Sequence, residues 1–233
     1  MTPSSSPWII FDGDNTLWDV EALYDEARAE LCRLLAGDKT TAQEVERFQR
    51  ERDKQLHREM GYSRKRFPLS FTQTALHYLA AGDDRIEAVH RLGDSVFEQA
   101  AIPADDVDEV LSALAKSFRL ALLTAGDREV QQLRLEHFGR KHHFSEVRIV
   151  ERKDAATIAA FAADIDAAPS RTWMVGDSLK SDIVPAVEAG LNAIHLDVAN
   201  WHEVEGAGSS LPDRARVART LKEAAEIILR ENL

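Results

Sequence analysis

The chain has 233 residues, 44% hydrophobic and 30% charged, which is long and apolar enough to bury a sizeable core and too hydrophobic for a disordered protein. Its formal net charge of -11 argues against a nucleic-acid partner, which needs clustered Lys and Arg, but not against a small anionic substrate, because a local cation or metal can outweigh the global sign. Cys32 is the single cysteine, so no intramolecular disulfide can form; no apolar run is long enough to span a bilayer, and Met1 to Pro7 lacks the basic and apolar regions of a signal peptide, so it reads as a flexible leader on a cytoplasmic protein.

Trp8-Ile9-Ile10-Phe11 is a continuous apolar run, the pattern of a strand buried on both faces. It stops at Asp12-Gly13-Asp14-Asn15, residues that favour turns. Two carboxylates thus sit at the carboxyl end of a buried strand, where open α/β sheets bind ligands. Helix capping by Asp or Asn is the plain alternative.

From Val20 the pattern turns helical: Leu23, Ala27, Leu31 and Leu34 recur at helical spacing until Gly37. Cys32 falls within that helix, as a buried structural thiol. Thr41 and Glu44 have the spacing of a capping box, opening a second helix that Gly61 closes. Pro68 opens a third, and Asp84 with Glu87 forms another capping box ahead of a fourth. Residues 18–104 therefore read as a helical unit without a strand. Its most basic stretch, Gly61 to Phe67, carries Arg64 and Arg66, either as solvated charges or, as the minority reading, as contacts to an anionic substrate. As exposed charges they should contribute little to stability.

From Asp105 helices and strands alternate. Helix residues Val107 to Leu114 precede the strand Phe118 to Thr124, a helix from Val130 to Phe138, a strand at Val147 to Val150, a helix around Ile158 to Ile165, a strand at Thr172 to Gly176, a helix around Ile183 to Ala189 and a strand at Asn192 to Leu196. Val217 to Leu229 reads as a terminal helix, and 199–212 as an irregular loop. The alternation predicts an α/β fold with a parallel sheet and right-handed crossovers. Thr124 ends its strand, where its hydroxyl and the N–H groups of Ala125 and Gly126 are suited to a phosphate. Lys153 stands at a helix start, where a cation is disfavoured by the helix dipole, a weak sign of another use. Asp177 follows a buried strand and Asp182 lies about a turn further on; with Asp12 and Asp14 they make a plausible hard-cation site.

Phe11-Asp12-Gly13-Asp14-Asn15-Thr16-Leu17, then Thr124, then Lys153, then Val175-Gly176-Asp177 with Asp182, resemble in order the four motifs of the haloacid dehalogenase-like hydrolase superfamily. The resemblance implies a Rossmann-like doubly wound core from 1–17 and 105–233, with 18–104 an inserted helical cap that sets specificity. It places the first and fourth motif strands side by side, bringing Asp12 and Asp177 together. It implies a Mg²⁺-dependent phosphomonoester hydrolase acting on a small phosphorylated metabolite. In that scheme Asp12 is the nucleophile and Asp14 the general acid and base. Thr124 and Lys153 hold the phosphate. Asp12, the main-chain carbonyl of Asp14 and Asp177 hold the metal, with Asp182 behind them. A haloacid dehalogenase needs neither a leaving-group acid nor a metal, so Asp14 and Asp177 argue against it. A phosphoryl mutase and a non-catalytic phospho-ligand binder remain as alternatives, and the part played by Trp201 and His202, after the last strand, stays open.

Overall fold

The computed structural model describes residues 7–197 and 211–232. β1 (Trp8–Phe11) and β2 (Trp18–Asp19) lead into α1 (Glu21–Leu35), α2 (Ala42–Met60), α3 (Arg66–Tyr78) and α4 (Arg85–Ser95). The chain returns through β3 (Ile102–Pro103) and continues as α5 (Val107–Leu114), β4 (Arg119–Ala125), α6 (Arg128–Phe138), β5 (Glu146–Val150), α7 (Ala155–Asp164) and β6 (Trp173–Gly176). A π-helical turn over Leu179–Ile183 then precedes α8 (Val184–Glu188), β7 (Asn192–Leu196), β8 (Ala215–Ala218) and α9 (Leu221–Glu231).

The chain divides into two compact units, Met1–Asp19 with Ala101–Leu233, and Val20–Ala100. In the first, six strands form a parallel sheet in the order β5-β4-β1-β6-β7-β8. The chain winds outward from β1 in one direction and then, from β6, in the other. The order therefore reverses at β1 and β6, whose carboxyl ends define the ligand-binding crevice of such sheets. Central position explains the unbroken apolar run of β1: Ile10 lies level with Ala121 on one side and Met174 on the other, and all four strand residues are buried. Trp8 and Ile10 share a core with Leu123, Met174 and Ala193 from neighbouring strands and with Ile158 and Phe161 of α7.

Three details differ from the sequence expectation. Residues 18–104 are not wholly helical, because Trp18–Asp19 pairs antiparallel with Ile102–Pro103 in a two-stranded ribbon that belongs to the sheet unit. Pieces of two residues are too short to carry a period. The terminal helix starts at Leu221; Val217 lies instead in the edge strand β8, where Arg216 and Val217 both face solvent and hide the alternation. Asp84 does not cap α4, since its own φ and ψ (-59°, -22°) are already helical and its side chain makes no capping bond; Asp83 accepts the Arg85 N–H at 3.0 Å in its place. The Thr41 and Glu44 capping box is present in both directions.

In the helical unit, Leu31, Val45, Phe67, Phe71, Ala75 and Val89 form the buried interior. The Cys32 thiol is buried against the Ala42 carbonyl (3.4 Å), and burial pushes its pKa up. Arg66 is not the solvated charge expected from sequence. Its Nη1 donates to Asp53 Oδ2 at 2.9 Å, and the Asp53 side chain is 2% exposed. Burial pushes the Asp53 carboxyl up, against the pull of Arg66. Arg64 is more open, 3.5 Å from Asp94 and lying over the Phe97 ring. Residues 199–210 of the irregular loop, Trp201 and His202 among them, and all of the leader but Pro7, lie outside the described residues. Among the described residues no helix is long and apolar enough to cross a membrane.

These burials separate the two arginines. Arg66→Ala leaves Asp53 buried without its ion-pair partner and should cost about 3 kcal/mol, whereas Arg64→Ala should cost under about 1 kcal/mol. Urea unfolding of the two variants checks this; equal losses would contradict the assignment of Arg66 to the interior.

Candidate active site

Asp12 directly follows β1, and its N–H donates to the Val175 carbonyl of β6 at 2.9 Å, which fixes the first acidic turn against the fourth. Asp177 follows β6. Gly176, the last residue of β6, has no room for a side chain: a Cβ there would clash with the Asp182 carboxyl. The π-helical turn folds Asp182 back under the strand end, where its Oδ2 accepts the Ser178 N–H at 3.1 Å. His195, inside β7 and 6% exposed, donates from Nε2 to the Asp177 carbonyl at 2.9 Å and steadies that turn.

Lys153 lies between β5 and α7. Asp154 caps α7, accepting the Thr157 N–H at 2.9 Å, so the helix start is satisfied by the neighbour and Lys153 turns inward. Its ammonium makes close ion pairs with both Asp12 and Asp182. Asp12, Asp177, Asp182 and Lys153 are each under 10% exposed. One buried cation therefore faces three buried carboxylates. Burial pushes the Asp12 carboxyl up to about 7, partly offset by Lys153 and reinforced by Asp182. Burial, then Asp12 and Asp182, push Asp177 well above the usual carboxylate range. Burial works against the charge on Lys153, but Asp12 and Asp182 overcome it and raise its pKa.

Oxygens of Asp12, Asp177 and Asp182 all lie within 4.8 Å of one another. Hard oxygen donors with excess negative charge fit a hard divalent cation. The Asp14 carboxylate is turned to other partners: Trp18 Nε1 donates to Oδ1 at 2.7 Å, Gln131 Nε2 to Oδ2 at 2.9 Å, and Arg134 forms a close ion pair with Oδ2. Thr124, 2% exposed, donates its hydroxyl to Gln131 Oε1 at 3.1 Å. One expected donor is already used, because the Gly126 N–H goes to the Val150 carbonyl at 2.9 Å.

The structure thus brings Asp12, Lys153, Asp177 and Asp182 into one cluster, and links Asp14 to Thr124 through Gln131. Arg64 and Arg66 belong to the helical unit and are described with it. Sequence reasoning missed Trp18, Gln131, Arg134 and His195. The available signal for Gln131 and Arg134 was two polar residues three apart on a helix whose inward face carries Val130, Leu135 and Phe138. For His195 it was a titratable residue within an apolar strand.

The family model described as haloacid dehalogenase-like hydrolase matches residues 7–190. The N-acylneuraminate-9-phosphatase of Mus musculus is 30% identical over 197 residues, which are 79% of this chain and 79% of that protein. The pyrimidine 5'-nucleotidase YjjG of Escherichia coli is 30% identical over 110 residues, 45% of this chain and 49% of that one. Among solved structures, a haloacid dehalogenase-like family hydrolase from Xanthomonas campestris superposes with a TM-score of 0.76 at 22% identity, covering 97% of this chain and 96% of the other.

The raised carboxyls set the sign of a pH dependence. A carboxyl whose pKa is higher folded than unfolded binds more protons in the native state, so its stabilising contribution is complete below the unfolded pKa and is lost as pH rises through the folded one. For Asp12 that window runs from 3.8 to about 7. Metal-stripped protein should therefore lose roughly 3–10 °C of Tm between about pH 5 and pH 8, since 1 kcal/mol is about 2–4 °C in a chain of this size. Asp177→Asn removes one buried charge and should flatten that slope. Calorimetry on both proteins checks this; a Tm that rises across the window would contradict it.

Proposed function

Because this chain belongs to the haloacid dehalogenase-like hydrolases, we propose that it is a Mg²⁺-dependent phosphomonoesterase working through a phosphorylated Asp12. The observation that carries the proposal is the carboxylate cluster: oxygens of Asp12, Asp177 and Asp182 lie within 4.8 Å of one another, with the Lys153 ammonium paired to Asp12 and Asp182. Asp12, the main-chain carbonyl of Asp14 and Asp177 would hold Mg²⁺, with Asp182 keeping Lys153 and the Ser178 N–H in place behind them. When bound, Mg²⁺ would offset the repulsion between the Asp12 carboxylate and an incoming phosphate dianion.

The chain's own groups supply the rest. Asp12 attacks phosphorus in line, and the P–O bond to the leaving alcohol breaks as Asp14 gives that oxygen a proton. Water then attacks the aspartyl-phosphate, Asp14 takes its proton, and inorganic phosphate leaves with the Asp12 carboxylate restored. Thr124 donates to a phosphate oxygen once its hydroxyl turns from Gln131, and Lys153 spreads its charge between Asp12 and the phosphate. Phosphoryl transfer depends mainly on such positioning and charge stabilisation.

A dehalogenase needs neither an acid for its leaving halide nor a metal, so the presence of Asp14 and of the Asp12, Asp177 and Asp182 cluster favours the phosphatase reading over that alternative. The names of two relatives point to phosphate esters of a sugar acid and of a nucleoside. We accordingly assign this chain a small phosphorylated metabolite of polyhydroxylated type, with the helical unit selecting it. The first substrates to assay are an N-acylneuraminate 9-phosphate, pyrimidine 5'-nucleotides and hexose phosphates.

Hydrolysis of p-nitrophenyl phosphate should require Mg²⁺ and stop on chelation, and Asp12→Asn should lose at least about 10³ in turnover, because an amide is a far poorer nucleophile. Phosphate release assays check both; full activity after exhaustive chelation would remove the metal from the mechanism. Asp14→Asn tests the acid. An alkoxide needs a proton as it leaves and p-nitrophenolate does not, and general acid catalysis is worth roughly 10²–10⁴. In single-turnover phosphorylation Asp14→Asn should slow a hexose phosphate by such a factor and p-nitrophenyl phosphate far less. Equal losses would make Asp14 a structural residue.

A further inference from the structure

We propose that Gln131 is a positioning residue that couples the docking of a phosphate on Thr124 to the release of Asp14, an inference that rests on the phosphatase reading above. Gln131 is 2% exposed, and its carboxamide bridges the two residues. Oε1 accepts the Thr124 hydroxyl at 3.1 Å, and Nε2 donates to Asp14 Oδ2 at 2.9 Å and to the Ala125 carbonyl at 3.4 Å. Chemistry dictates that orientation. A carboxylate only accepts, so the amide nitrogen must face Asp14, the amide oxygen must face Thr124, and the hydroxyl must be the donor.

A threonine hydroxyl has one proton to give. In the resting structure that proton belongs to Gln131. A phosphate oxygen is also an acceptor, so Thr124 can hold a phosphate only by taking its proton away from Gln131. Thr124 Oγ1 and Gln131 Oε1, 3.1 Å apart, would then be two buried acceptors facing each other, with Oε1 left unsatisfied. A half-turn of the amide about its last torsion relieves Thr124 and moves the conflict to the acceptors on the other side, Asp14 Oδ2 and the Ala125 carbonyl. Nε2 then donates to Thr124, and Oε1 comes to face Asp14 Oδ2.

That turn withdraws a donor from Asp14 and replaces it with an acceptor, which pushes the carboxylate off. Trp18 and Arg134 still hold it, as hinges rather than as a closed clamp. The neighbouring backbone leaves room for the motion. Gly126 has φ +152°, a conformation closed to most side chains, and a Cβ there would stand 3.0 Å from Gln131 Nε2. Asp14, whose side chain is 26% exposed, is thus parked while the phosphate site is empty; when a phosphate arrives it is released, and the proton it gives to the leaving oxygen is taken up from solvent.

The test has two arms. In the first, wild type and Gln131→Met are compared in single-turnover phosphorylation by phenyl phosphate and p-nitrophenyl phosphate. Met fills the space but neither links Thr124 to Asp14 nor repels it. The variant should lose about tenfold more on phenyl phosphate, whose leaving phenolate is more basic and needs the acid more. Equal losses on both esters would reduce Gln131 to a packing role and overturn the proposal while leaving the phosphatase reading intact. Wild type inactive on both esters would overturn that reading and the proposal with it.

The second arm needs no variant of Gln131. The Gln131 side-chain amide signals, followed by NMR in wild type, should shift as inorganic phosphate is titrated in with Mg²⁺, and should not shift in Thr124→Val, which lacks the hydroxyl. Phosphate saturation that leaves the wild-type signals unmoved would overturn the coupling.

Discussion

Three carboxylates and one ammonium share a buried space at the carboxyl end of the sheet, and much of this structure exists to hold that arrangement in place. A buried carboxylate is costly unless it is paired or hydrogen-bonded, and the Lys153 ammonium pairs with both Asp12 and Asp182. Burial raises the Asp12 and Asp177 carboxyls against the pull of Lys153, while Asp12 and Asp182 raise the Lys153 ammonium against its burial. Three neighbouring carboxylates are also the kind of donor set that a hard divalent cation takes.

The fold delivers the cluster through backbone geometry more than through loop length. β1 and β6 are adjacent and parallel, so residues far apart in sequence emerge side by side, and the Asp12 N–H bond to Val175 sets their relative height. Gly176 and the π-helical turn after it put Asp182 beneath the strand end instead of in solvent. On the other flank β4 and β5 present Thr124 and lead to Lys153. Asp14 belongs to a separate polar chain, Trp18, Gln131, Arg134 and Thr124, so Asp12 and Asp14 are held by different networks.

Much of this was legible in the sequence, for identifiable reasons. Strands buried on both faces read as continuous apolar runs, so β1, β4 and β6 and the acids at their ends stood out. Residues that act as partners of those acids left fainter marks. Gln131 and Arg134 look like ordinary polar positions on an amphipathic helix, and only the fold shows that they face Asp14. Trp18 carried no signal of its own in the sequence, and its indole N–H bonds Asp14. β8 was hidden because its two middle residues, Arg216 and Val217, are both exposed and break the alternation, and the Asp84 capping box failed because composition cannot reveal that its backbone is already helical. Arg66 shows the limit of reading charge as exposure: a basic run in the helical unit contains one arginine that is interior, paired with an aspartate thirteen residues earlier.

A structure of the protein with Mg²⁺ and beryllofluoride, a mimic of the aspartyl-phosphate, tests the central claim most directly. The account predicts beryllofluoride bonded to an Asp12 carboxylate oxygen, Mg²⁺ held by Asp12, Asp177 and the Asp14 carbonyl, and the Lys153 ammonium bridging Asp12 and a fluoride. Mg²⁺ bound elsewhere, or beryllofluoride absent from Asp12 at saturating concentration, would contradict it.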